Sequence, residues 1–256
     1  MARFVLIHGA SHGGWCWDKV VPQLQRAGHE VLAPDLPGMG SDKTPLAEIT
    51  LAGWGEFVAK LVRASPQPSI LVGHSRGGTV IGEAAERVPE RVIGLIYLTA
   101  VLLPPGSILF ETRDVMDSDA AKKATFDEIA ITMDPAAARE TFYGTCDPED
   151  ADWALSKLSP EPVKPNRTPL GTTDARWGKL PRAYIECLDD KTLTIDFQRK
   201  MQIAYPCDPV VSLTGDHSPF LSKPHEVTQH LDAIATVFAS RRQSPKFPFS
   251  ASVISQ

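Results

Sequence analysis

The chain has 256 residues, 43% of them hydrophobic and 22% charged, with a formal net charge of −5. That length and balance suit a single soluble α/β domain with an insertion, able to bury a large core. They exclude two partner classes: no basic tract offers a footprint for nucleic acid, and no segment approaches the ~20 uninterrupted apolar residues of a membrane span.

Phe4-Val5-Leu6-Ile7 is a continuous apolar run, the pattern of a strand buried on both faces of a parallel sheet. Met1-Ala2-Arg3 leads straight into it, so no signal peptide is expected. The run ends in His8-Gly9-Ala10-Ser11-His12-Gly13-Gly14, and a helix is expected from Trp17 to Ala27, stopped by Gly28. His29 to Asp35 reads as the next strand, Leu36 to Ser41 as a loop and Leu51 to Ala64 as an amphipathic helix. Ile70-Leu71-Val72 then runs into Gly73-His74-Ser75-Arg76-Gly77, and Arg91 to Leu98 is a further strand. Strands alternating with helices predict a doubly wound, mostly parallel sheet.

The texture changes between residues 103 and 179. Pro104-Pro105-Gly106 closes the strand region, Asp114 to Asp134 is acidic and helix-compatible, and the prolines from Pro160 to Pro165 break any long helix. This segment is expected to be a mainly helical cap, inserted into a core made of residues 1–102 and 180–243. Its apolar residues include Leu109, Phe110, Phe126, Phe142, Trp153, Leu155 and Leu158. They are candidates for a pocket lining, with more than half expected only to pack the cap on the core. Arg182 to Leu188 and Pro209 to Leu213 are the last strands, Lys223 to Ala239 is the last helix, and residues 244–256 form a tail without periodicity. Cys16, Cys146, Cys187 and Cys207 are dispersed and lack metal-ligand spacing, which predicts reduced thiols in a cytoplasmic setting.

The chemistry concentrates in Gly73-His74-Ser75-Arg76-Gly77. Gly-x-Ser-x-Gly between a strand and a helix is the pattern of a nucleophile elbow, which holds a serine hydroxyl at the apex of a sharp turn. The glycines keep the neighbouring positions small. The glycine loop after the first strand also invites a nucleotide-binding reading, with Asp35 as the ribose carboxylate. Its spacing, Gly9-x-x-x-Gly13-Gly14, is not G-x-G-x-x-G. Acyl transfer uses the same loop for backbone N–H groups aimed at an oxyanion, here those of Ala10 and Arg76. The Arg76 side chain itself is expected to be directed elsewhere.

A serine nucleophile needs a base, and the base an orienting carboxylate, in the chain order Ser, Asp or Glu, His. His225 and His230 fall in the last helical segment and read as surface residues. His217 lies in Gly215-Asp216-His217-Ser218-Pro219, a loop at a strand's carboxyl end, where open α/β sheets place their chemistry. Asp189 and Asp190 both end the preceding strand, and spacing does not separate them. Asp216 is a weaker candidate, being adjacent to His217.

With these residues in place, the chain resembles the plant methylesterase and hydroxynitrile lyase family of α/β-hydrolases. The likeness runs through residues 4–17, Gly28-His29-Glu30-Val31, Asp35-Leu36-Pro37-Gly38-Met39-Gly40, Gly73-His74-Ser75, Pro181-Arg182-Ala183-Tyr184-Ile185, Asp190-Lys191 and Asp216-His217. The resemblance implies an α/β-hydrolase fold and places the catalytic acid before the lysine of an aspartate–lysine pair, at Asp190. It implies a hydrolase of small carboxylic esters acting through an acyl-enzyme, with Ser75, His217 and Asp190 as catalytic triad, a small-molecule ester as partner, no metal or organic cofactor, and room for a homodimer. Family lyases carry threonine at the position of Gly9 and lysine directly after the catalytic histidine. This chain has Gly9 and Ser218, which are therefore expected to touch substrate and to disfavour cyanide release. Arg76 departs from the leucine usual in the family and changes the expected polarity of the acyl pocket. A hormone-receptor-like protein with weak turnover, a hydroxynitrile lyase and a cofactor-free oxygenase are the competing readings.

Overall fold

Alternation within fully buried strands organises the molecule. The computed structural model describes residues 1–243, and the expected tail, residues 244–256, lies outside the described residues. The chain opens with β1 (Arg3–Ile7), α1 (Val21–Arg26), β2 (Glu30–Leu32), α2 (Leu51–Arg63), β3 (Ser69–Ser75), α3 (Gly77–Arg87) and β4 (Val92–Ala100). In β1, Phe4 and Leu6 join one core cluster while Val5 and Ile7 join the other. The same split separates Ile70 and Val72 from Leu71, and Ile96 and Leu98 from Leu95 and Tyr97. A helix layer therefore covers each face, as the continuous apolar runs require.

Local chemistry sets the element ends. Thr50 caps α2 by accepting the Gly53 N–H at 3.0 Å, an interaction typically worth ~1 kcal/mol. Leu51, Trp54, Val58, Ala59 and Val62 then recur on its buried face. Two expected elements are shorter than their apolar patterns. The helix expected from Trp17 starts only at Val21, after a separate 3-10 turn over Gly14–Trp17. Pro22 belongs in a first turn, because deeper in a helix its ring would clash with the preceding turn. The strand expected over His29–Asp35 pairs only over Glu30–Leu32, at the sheet edge, and Pro34 has no N–H for the ladder.

The segment between β4 and the next core strand is not helical throughout. It holds α4 (Arg113–Met116), α5 (Asp119–Lys122), β5 (Thr125–Phe126), β6 (Ala130–Thr132), α6 (Pro135–Phe142), α7 (Pro148–Lys157), β7 (Glu161–Pro162) and α8 (Val163–Asn166). The helix-compatible stretch Asp114–Asp134 thus becomes two single helical turns and a hairpin. Asp127 accepts the N–H groups of Ile129 at 2.7 Å and Ala130 at 2.6 Å, a side-chain turn that stops helix propagation. β5, β6 and β7 form a small antiparallel sheet.

The core resumes with β8 (Arg182–Cys187), α9 (Ile195–Ala204), β9 (Val210–Leu213), α10 (Pro219–Ser222) and α11 (Pro224–Gln243). The main sheet runs in the order β2-β1-β3-β4-β8-β9, and every pairing in it is parallel. The carboxyl ends of β1, β3, β8 and β9 consequently open on one edge, which brings their following loops together. Among the described residues no helix is long and apolar enough to cross a membrane, and all four cysteines are free.

Candidate active site

Ser75 is the last residue of β3 and has φ 51°. A non-glycine residue in this region is strained by on the order of 1–3 kcal/mol. The turn closes only because its flanks are bare. A Cβ at Gly73 would lie 2.7 Å from the Gly77 carbonyl oxygen, and one at Gly77 would lie 2.7 Å from the carbonyls of Ile7 and His8. Ser75 is thus held at the apex, with α3 starting two residues on.

The loops after β8 and β9 meet this serine. His217 Nδ1–H donates to Asp190 Oδ2 at 2.6 Å, and the Ser75 hydroxyl donates to His217 Nε2 at 2.9 Å. All three side chains are buried. Asp190 Oδ1 accepts the N–H groups of Thr192 at 2.7 Å and Leu193 at 2.9 Å. Its Oδ2 also accepts the Thr99 hydroxyl at 2.5 Å. These bonds fix the direction of the carboxylate. Thr99 was not among the sequence candidates; its φ of 35°, rare for a β-branched residue, marks it only once the backbone is known.

Burial separates the candidate acids. Asp189 is exposed and uses Oδ2 to accept the Gly215 N–H at 3.0 Å, which ties the two loops together outside the site. Asp216 is buried but accepts the N–H groups of Thr145 at 2.7 Å and Ser218 at 3.2 Å. Asp35 accepts from the Gly14 N–H at 2.7 Å and from Ser41, so it clamps two loops rather than standing free for a ribose. His225 and His230 lie on α11 away from Ser75, His225 exposed and His230 half-buried.

The loop after β1 presents the Ala10 N–H without a partner among the described residues. The Gly9 carbonyl accepts from His8 Nδ1 at 2.9 Å and from Arg76 Nη2 at 3.0 Å. The Ala10 carbonyl accepts from His12 Nδ1 at 2.7 Å, and the Ser11 N–H donates to Glu161 Oε2 at 3.0 Å. Of the four polar groups on the two peptide units flanking the Ala10 Cα, only the Ala10 N–H donates to nothing among the described residues. The Arg76 N–H, at the N-terminus of α3, is likewise unclaimed there.

Arg76 is where the structure corrects the sequence reading most. Its side chain does not leave the site. It is 2% exposed, pairs through Nε with Glu161 Oε1 at 2.8 Å and lies over the Trp54 ring at 4.2 Å. Glu161, which carries no sequence signal of its own, is 1% exposed in the segment between β4 and β8. Three buried histidines surround the assembly in neutral form. Burial lowers His8 to about 3 and His12 to about 4, and holds His74 well below its usual value. His74 Nε2–H donates to the His217 carbonyl at 2.7 Å and so braces the loop that carries His217.

A cavity of about 760 Å³, counting the solvent at its mouth, opens over Ser75 and His217. Leu109, Phe110, Phe126 and Phe142 of the expected cap residues line it, together with Met116, Ile131 and Met133. Trp153, Leu155 and Leu158 instead pack against the core. Ala10 and Arg76 are on the lining, whereas Gly9 and Ser218 are not. Both were expected to touch substrate. Gly9 faces His74, where an added Cβ would lie 2.8 Å from Nδ1, and the Ser218 hydroxyl is fully buried with no partner among the described residues.

A parallel sheet whose strand-end loops bring Ser75, His217 and Asp190 together, with a strained serine closing β3, defines an α/β hydrolase. A family model, the alpha/beta hydrolase family, matches residues 4–230. The chain is 33% identical to a pyrethroid hydrolase of Sphingobium wenxiniae, over 94% of this chain and 90% of that protein. It is 31% identical to methyl jasmonate esterase 1 of Vitis vinifera, over 93% and 98%. The crystal structure of a pyrethroid hydrolase from Sphingobium faniae superposes with a TM-score of 0.82 at 33% identity, covering 93% and 99%. The protein belongs to the alpha/beta hydrolase family and is a carboxylic ester hydrolase of the methylesterase-like type.

Proposed function

We propose that the protein hydrolyses carboxylic esters with a bulky apolar group through an acyl-enzyme on Ser75. The carrying observation is the continuous line Ser75–His217–Asp190, with bonds of 2.9 and 2.6 Å, at the floor of an apolar cavity. Ser75 Oγ attacks the carbonyl carbon as its proton passes to His217 Nε2. The carbonyl oxygen becomes an oxyanion facing the N–H groups of Ala10 and Arg76. His217 then gives the proton to the departing alkoxide, and the alcohol leaves. Water attacks the acyl-serine by the same route, releasing the acid and restoring the Ser75 hydroxyl. Asp190 holds the imidazole in the tautomer that accepts from Ser75 and stabilises the imidazolium.

The apolar lining favours esters with hydrophobic acyl or alcohol parts, in keeping with the names of the pyrethroid hydrolase and methyl jasmonate esterase relatives. The position after His217 is Ser218, outside the cavity, so no ammonium stands ready for a departing cyanide. A panel of p-nitrophenyl esters of increasing chain length tests the reading, with Ser75→Ala as control. Turnover should rise with chain length and fall ~10⁴-fold or more in Ser75→Ala. A purified Ser75→Ala protein keeping a tenth of wild-type turnover would sink it.

A further inference from the structure

We infer that the buried Arg76–Glu161 pair positions the oxyanion hole, an inference that rests on the acyl-transfer reading above. A peptide unit is planar, so the Gly9 carbonyl and the Ala10 N–H are one rigid body pointing in opposite directions. Arg76 Nη2 and His8 Nδ1 hold the oxygen end at 3.0 and 2.9 Å. Holding that end aims the Ala10 N–H, and charge-assisted donation to the carbonyl polarises the N–H further. On the other side of Ala10, Ser11 sits at φ 60°, a conformation that needs outside support. Glu161 Oε2 supplies it by accepting the Ser11 N–H at 3.0 Å.

One guanidinium and one carboxylate thereby grip both peptide units around the donor. The grip is itself fixed. Arg76 Nε and Nη2 reach Glu161 at 2.8 and 3.4 Å, the guanidinium rests on Trp54, and Asn166 Nδ2 donates to Glu161 Oε1 at 3.3 Å. Arg76 acts on both halves of the hole: its backbone N–H is one donor, and its side chain orients the peptide that carries the other. Glu161 comes from the inserted segment, so seating that segment and setting the hole are a single event. Arg76 and Glu161 are positioning residues; neither side chain takes a proton or a bond in the reaction.

A merely structural tie between insertion and core would lower stability or ground-state binding. A positioning role lowers transition-state binding. Either single removal strands a buried charge and endangers the fold, so the main variant is Arg76→Leu with Glu161→Leu, which removes both charges together. Arg76→Lys keeps the charge opposite Glu161 but cannot serve Glu161 and the Gly9 carbonyl as a planar fork does, so it gives the same reading where the double variant does not fold.

For each variant, kcat and KM on a p-nitrophenyl ester are measured beside two inhibitors. One is an alkyl trifluoromethyl ketone, whose serine adduct carries an oxyanion. The other is the corresponding alcohol, which carries none. Losing one oxyanion donor typically costs ~10²–10³-fold, so misaiming it should cost about 10–100-fold in kcat. KM and alcohol affinity should stay within about threefold, and trifluoromethyl ketone affinity should fall by the same factor as kcat. Unchanged kcat, or equal loss of affinity for both inhibitors, overturns the inference. Ser75→Ala in the same assay separates the two claims. Residual turnover there defeats the acyl-transfer reading itself, whereas a dead Ser75→Ala beside an unimpaired double variant defeats only the positioning role.

Discussion

Ser75 stands between two buried acid–base pairs that are built in different ways. On one side, Asp190 and His217 come from the loops after β8 and β9, anchored to the sheet. On the other, Arg76 belongs to the serine turn while Glu161 arrives from the inserted segment, 85 residues further along the chain. The first pair is oriented by strand ends, and backbone N–H groups and Thr99 lock its carboxylate. The second is oriented by packing, with Trp54 beneath the guanidinium and Asn166 on the carboxylate. The difference separates two tasks. In the proposed reaction the sheet supplies the line along which the proton moves, and the segment between β4 and β8 supplies apolar walls and the proposed brace for the loop facing the oxyanion.

The comparison breaks first at Asp190. Asp190→Asn should cut kcat on p-nitrophenyl esters by ~10³–10⁴-fold, because an amide favours the wrong imidazole tautomer and leaves the imidazolium uncompensated. Steady-state kinetics on folded protein checks this, and a loss under tenfold would remove Asp190 from the line.

Acid should act on the histidines behind both pairs. The unfolded chain protonates His8, His12 and His74 near 6.5, whereas burial holds His8 at about 3, His12 at about 4 and His74 well below the usual value. Protons taken up as pH falls below 6.5 therefore go to the unfolded chain. Stability from these rings is complete above about pH 6.5 and is lost as pH falls toward 4. Each ring contributes a slope of up to about 1.4 kcal/mol per pH unit. Urea midpoints measured between pH 7 and 5 should drop steeply, and His12→Phe should flatten the profile. A flat wild-type profile across that interval contradicts the neutral, buried assignment.

Thr99 offers a smaller and sharper test. Thr99→Val keeps the shape and removes the hydroxyl that donates to Asp190 Oδ2. One hydrogen bond to a charged group is worth ~1.5–3 kcal/mol, and His217 remains as partner, so a loss of about tenfold in kcat is expected. No change would show that His217 and the two backbone N–H groups suffice.

The smallest effect should come from Asp189, next to Asp190. It is exposed, and its bond to the Gly215 N–H lies outside the line. Asp189→Asn should stay within about threefold of wild-type kcat/KM, since an exposed charge contributes little. A loss rivalling that of Asp190→Asn would mean that the two loops, not one carboxylate, orient His217.

Much of this molecule was legible before any coordinates, for a physical reason. Strands buried on both faces must be apolar throughout, so Phe4–Ile7 and Ile70–Val72 declare a parallel sheet, and a parallel sheet places its following loops at one edge. The strained turn at Ser75 demands glycine at 73 and 77, which is why five residues mark a nucleophile candidate. The choice between Asp189 and Asp190 was different. Spacing left both open and only the family resemblance pointed to Asp190; burial, which sequence spacing does not reveal, separates them in the structure. The partner of the Arg76 side chain and the place of Thr99 carried no local signal, because an arginine at a helix start and a threonine at a strand end are ordinary until their partners arrive. Glu161 lies in a proline-rich stretch that reads as loop, and its value depends on Arg76 and Ser11, 85 and 150 residues away. Periodicity and turn chemistry are written locally and can be read from the chain. Charge pairing inside a core depends on which distant segments are packed together, and tertiary structure alone decides that.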